Sequence, residues 1–95
     1  MSSLTYSERF LTWMTIEQGR SPRTIEAYRR DLLRYESFLT SSSLDVLSAQ
    51  SPHIEQFIAS LRAEGKAAKS VARMYAAVRM MHRYLVEERL RPDNP

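Results

Sequence analysis

The chain has no cysteine, only two glycines in 95 residues, and no apolar run longer than a few residues. Without cysteine there is no disulfide framework and no thiolate metal ligand, and a reducing interior is the simplest setting. Without the roughly 20 consecutive apolar residues that cross a bilayer, no transmembrane helix is expected. The start, Met1-Ser2-Ser3-Leu4-Thr5, has neither the basic beginning nor the apolar middle of a secretory signal. A cytoplasmic protein without a membrane partner is therefore expected. Scarce glycine and the absence of strand-like alternation point to an all-α chain. At this length one compact domain with one core is expected, with little room for a deep catalytic cavity.

What is present is helical periodicity with clear punctuation. Apolar residues and stop signals outline four helices: about Tyr6 to Gln18 before Gly19, from Ser21-Pro22 to about Thr40, from Ser51-Pro52 to Gly65, and about Ala68 to Glu88. Serine before proline suits a helix start, because the hydroxyl caps an amide and proline loses no bond in the first turn. Ser41-Ser42-Ser43 reads as a loop, too short to divide two cores. Residues 1–91 form the expected domain, and Pro92-Asp93-Asn94-Pro95 reads as the start of a linker.

Fourteen Lys and Arg against eleven Asp and Glu give a net charge of +3 and a pI near 9.6. That excess alone decides little; its distribution says more. On the second helix Ile25, Tyr28, Leu32, Tyr35 and Leu39 share one side, while Arg23, Arg30 and Arg34 lie roughly 140–180° away from Ile25. On the fourth, Val71, Met74, Val78, Met81 and Leu85 share a side, and Lys69 and Arg73 fall opposite, beside Ala72, Ala76 and Ala77. Arginine forks suit phosphate and guanine edges, and small alanines permit close approach to a groove. The competing view is that any amphipathic helix carries charges on its wet face, and Glu26 and Asp31 can pair with Arg30 or Arg34.

The segment from Phe10-Leu11 through Gly19, Ser21-Pro22, Thr24, Ala27-Tyr28 and Asp31-Leu32 resembles the opening of Xer-type tyrosine recombinases and phage integrases. A second stretch of likeness follows at Lys69-Ser70-Val71-Ala72-Arg73, Ala77-Val78-Arg79, Tyr84-Leu85 and Asn94-Pro95. The resemblance implies a core-binding domain, a SAM-like four-helix bundle forming one arm of a clamp on double-stranded DNA. It implies contacts from two helices in adjacent parts of the major groove: Ser21, Arg23, Thr24, Ala27 and Arg30 on the second, and Lys69, Ser70 and Arg73 on the fourth. Arg79 is expected nearby as a backbone contact or an intradomain bond. The family's cleavage chemistry belongs to another domain downstream, so no catalytic residue and no cofactor are expected in these 95 residues, and the chain reads as a piece of a longer protein or a separated domain. DNA recombination or integration is the implied setting, with chromosome partition and mobile-element movement both open.

Two departures accompany the likeness. Ala67 stands where a capping serine is common, which implies a less sharply defined helix start, and Arg89 replaces a common glycine, which implies a last helix running further towards Pro92.

His53 and His82 lie far apart with no acid or thiol at ligand spacing, so no metal site is expected. His82 reads as a packing residue and His53 as surface. Tyr28 and Tyr35 belong to the apolar stripe. Apolar residues occupy more than one side of the first helix, and the resemblance implies that Leu11 and Ile16 touch a neighbouring protomer on DNA, the free domain being monomeric. The alternative from another class is a helical protein-interaction module whose basic rows are simply solvated.

Overall fold

The computed structural model describes residues 3–95, with side chains from Tyr6 onward. Four helices follow one another: α1 (Ser3–Glu17), α2 (Pro22–Thr40), α3 (Ser51–Ala63) and α4 (Ala68–Glu87). The helices α2 and α4 each pack against the other three, whereas α1 and α3 meet only through them. These central helices carry the basic rows, so their outer edges are what the bundle presents.

The core follows the expected stripes. Leu32, Tyr35 and Leu39 of α2, Phe57 and Leu61 of α3, and Met74, Val78, Met81 and Leu85 of α4 are buried together. Each such aliphatic or aromatic side chain contributes on the order of 1.5–3 kcal/mol through the water it releases. From α1, Phe10, Leu11 and Met14 join them, and Trp13 stacks on Phe10 and meets Tyr84 at a tilt. Tyr28 is only half-buried, at the edge of the stripe. Ala77, expected on the outer face of α4, is fully buried, because it turns back towards the core side of the helix.

Helix ends depart from expectation in instructive ways. At α2 the reading holds: Ser21 caps, its Oγ accepting from the Thr24 amide at 3.2 Å, with Pro22 in the first turn. At α3 the cap is Gln50, one residue before the expected Ser51. The reason is His53, whose Nδ1 accepts from the Gln50 amide at 2.9 Å; the ring closes the capping box from the third helical position, so it is half-buried rather than a free surface group. At α4 the cap Ala67 makes no side-chain bond, as its missing hydroxyl implied.

The end of α4 corrects the expected extension. The helix stops at Glu87, and Arg89 takes a left-handed φ of 57°. Its amide bonds the Val86 carbonyl at 3.0 Å and the Leu90 amide bonds that of Leu85 at 2.8 Å, a Schellman closure that usually employs glycine. Ser43 does the same after α2, with φ 58° and the Leu44 amide on the Leu39 carbonyl at 2.9 Å.

Between α2 and α3 the chain turns around Asp45, whose Oδ1 accepts from the amides of Leu47 and Ser48. This puts Val46 and Ala49 into the core. Arg91, from the segment after α4, is itself buried and donates through Nη1 to the carbonyls of Val46 and Ala49 at 3.0 and 2.8 Å. Asp93 neutralises it at 3.1 Å. Arg91, the last residue of the expected domain, is thus tied to the turn between α2 and α3.

Candidate nucleic-acid interface

Asp31 is the hinge of the surface. It is buried, at 3% exposure, yet its carboxylate reaches the edge of α2 and meets Arg73 of α4 through two bonds, Nε to Oδ2 and Nη2 to Oδ1, each 2.9 Å. This fork brings the wet edges of α2 and α4 side by side. Arg30 precedes Asp31 and Lys69 lies one turn before Arg73; both are exposed, as is Arg23 near the start of α2. None of Arg23, Arg30 or Lys69 makes an ion pair among the described residues.

Of the two acids expected to pair with Arg30 or Arg34, neither does: Asp31 takes Arg73 of the fourth-helix row and Glu26 turns to Arg29. Glu26 pairs with Arg29, which also holds Glu8 at 2.9 Å. The Arg29 bond keeps the Glu8 carboxyl below its ordinary range, while Glu8 raises the arginine. Arg34 crosses to Glu64 at the end of α3, whose carboxyl that bond lowers. Arg34 is thus committed to an ion pair, whereas Arg30 is not.

The remaining predicted contacts divide. Ala27 and Thr24 are half-exposed beside Arg23 and Arg30. The Ser21 hydroxyl is engaged twice, accepting from the Thr24 amide and donating to Thr24 Oγ1 at 3.0 Å; its first duty is the cap. Ser70 is half-exposed in the first turn of α4, where Ala67 leaves the amides without a side-chain acceptor. Arg79 stands apart from the row, roughly 80° around the helix from Lys69. Its guanidinium donates to the Tyr75 hydroxyl at 2.9 Å and lies over that ring at 5.6 Å, so the intradomain bond is what the structure contains.

Sequence reasoning missed Lys66, exposed ahead of α4 and three residues before Lys69, although a cation just before a helix start was visible in the chain. It also placed Leu11 at a protomer surface. Leu11 is 1% exposed, because α1 packs against both α2 and α4; Ile16, at 71%, is the most exposed large apolar side chain among the described residues.

Tyr35 Oη and His82 Nε2 lie 2.8 Å apart, and Arg91 Nη1 approaches His82 Nδ1 at 3.4 Å. Burial, aided by Arg91, lowers His82 to about 4, so the ring is neutral near pH 7. Burial likewise raises the Tyr35 hydroxyl above its ordinary range. No group of acids and histidines suited to a metal ion occurs among the described residues, and no helix among them is long and apolar enough to cross a membrane.

The phage integrase N-terminal SAM-like domain family matches residues 7–89. The chain belongs to that family. It is 37% identical over 86 residues to the tyrosine recombinase XerD of Bradyrhizobium diazoefficiens, a match covering 90% of this chain and 27% of the relative. To XerD of Rhizobium meliloti it is 34% identical over 93 residues, covering 98% and 30%. To XerD of Staphylococcus aureus strain Mu50 it is 34% identical over 94 residues, covering 96% and 31%. This integrase-type domain thus spans about three-tenths of those relatives. No solved structure gives a significant match.

Proposed function

We propose that this domain binds double-stranded DNA, laying the outer edges of α2 and α4 against adjacent stretches of the major groove as one arm of a recombinase clamp. The observation that supports the reading is the Asp31–Arg73 fork joining α2 to α4, together with Arg23 and Arg30 of α2 and Lys69 of α4, exposed and free of acidic partners among the described residues. Free cations in this arrangement release counterions from phosphates, and the amides at the start of α4 add donors for the same oxygens. Ala27 lets the α2 backbone approach closely. Cleavage and rejoining of strands would fall to residues outside residues 1–91, which serve placement and affinity; that division follows the recombinases to which the chain is similar.

The test is fluorescence anisotropy on a labelled mixed-sequence duplex over a series of salt concentrations. Arg30→Glu and Lys69→Glu should each weaken binding about tenfold and flatten the plot of log affinity against log salt by about one unit, one lost phosphate contact apiece. Unchanged affinity and slope in both variants would refute the reading.

Ile16 extends the proposal to assembly. An isoleucine 71% exposed at the end of α1 fits a contact with a second protomer bound to a neighbouring half-site. Ile16→Glu is expected to leave binding to a single site intact and to reduce cooperative filling of two adjacent sites in a gel-shift titration.

A further inference from the structure

Within the proposed DNA interface, whose reading this inference assumes, the charges are not all of one kind. Arg30 and Lys69 are exposed cations on flexible stems. Arg73 is different: its side chain is 43% exposed, while Asp31, with a side chain only 4% exposed, grips its guanidinium from within through two bonds of 2.9 Å. A buried carboxylate is costly unless paired, and here the pairing is spent at the rim of the surface instead of deep in the core. The fork engages Nε and one hydrogen of Nη2. It leaves both hydrogens of Nη1 and the second of Nη2 on the outer side, in one plane and at a fixed angle.

We infer that Asp31 is a positioning residue: it holds the Arg73 guanidinium as a preset planar donor for a phosphate and fixes the register of α2 against α4. Because the pair is neutral as a unit, Arg73 acts through geometry and contributes little to counterion release. Among the described residues no other predicted contact residue is paired with a carboxylate.

The inference carries a sign that electrostatics alone would reverse. Asp31→Asn removes a negative charge from beside the bound DNA, so a simple field effect strengthens binding. Positioning predicts the opposite, a loss of about tenfold in duplex affinity. Arg73→Lys keeps the charge but cannot make the fork, and is expected to lose a similar factor while shifting the salt slope by well under the unit that Arg30→Glu removes. The double variant should lose no more than the worse single one, since both break one unit.

The experiment is the anisotropy titration of this chain on the same labelled duplex, with thermal melting followed by circular dichroism to identify folded variants. If Asp31→Asn does not fold, Arg73→Lys decides. Folded Asp31→Asn binding as well as or better than the parent, or Arg73→Lys binding like the parent, overturns the inference while Arg30→Glu and Lys69→Glu still report on DNA binding. Loss of effect in all four variants defeats the DNA reading itself.

Discussion

Glu36 carries a carboxylate into the packing between α1 and α2, where it is 7% exposed and neither oxygen has a hydrogen-bond partner among the described residues. The nearby Ser7 hydroxyl turns to the Met81 sulfur at 3.4 Å instead. Burial, reinforced by the negative charges of Glu8 and Asp45, raises the Glu36 carboxyl to about 7 from an ordinary 4.5. An acid that holds its proton more tightly when folded stabilises the fold below its unfolded value, and that contribution is lost as pH rises through 7. His82 runs the other way: lowered to about 4, it costs stability as pH falls below its ordinary 6.5. Glu36→Gln should therefore gain on the parent as pH rises from about 5 and hold a steady advantage above 7, on the order of 1–3 kcal/mol. Urea melts at pH 5, 6, 7 and 8 check this; an advantage independent of pH contradicts the assignment.

At the scale of the helices, what the sequence disclosed and what it hid separate by sequence distance. Apolar stripes and the stops at Gly19 and Gly65, with φ of 61° and 83°, are local signals and were legible. So was the Ser21-Pro22 start. Ser43 and Arg89 adopt the same left-handed turn without the residue that usually marks it, so no local signal announced them. Arg89 was instead expected to prolong α4. The conformation costs a side-chain-bearing residue about 1–2 kcal/mol, of which glycine's greater unfolded freedom returns about half. Arg89→Gly is accordingly expected to stabilise the domain by about 0.5–1 kcal/mol in a thermal or urea melt, and destabilisation would show that the arginine makes a compensating contact.

At the same scale, the free state of Arg30 and the engagement of Arg73 were not separable in the sequence. Both lie opposite an apolar stripe, and only the pairing of Asp31 with a residue 42 positions later distinguishes them. Arg91 is the extreme case. Its donors reach carbonyls 42 and 45 residues away, contacts that no helical period encodes.

For the molecule as a whole, the two central helices, each packed against the other three, also carry Arg23, Arg30 and Lys69. Rigid elements hold such contacts more precisely than loops do. Arg29, Arg34 and Arg83 are paired with acids, whereas Arg23, Arg30 and Lys69 make no ion pair among the described residues. The salt dependence expected of the domain follows from those few unpaired cations and not from the overall pI.

The most direct test of this account maps the contact surface itself. Backbone amide shifts of the isotope-labelled domain, followed during titration with a duplex at low salt, should move at Arg23, Thr24, Ala27 and Arg30 and at Lys69, Ser70 and Arg73, and the shifts should fade as salt is raised. Shifts confined to α1 and α3, or an α2 and α4 surface unchanged at saturating duplex, would contradict the claim that these two edges form one DNA-binding face.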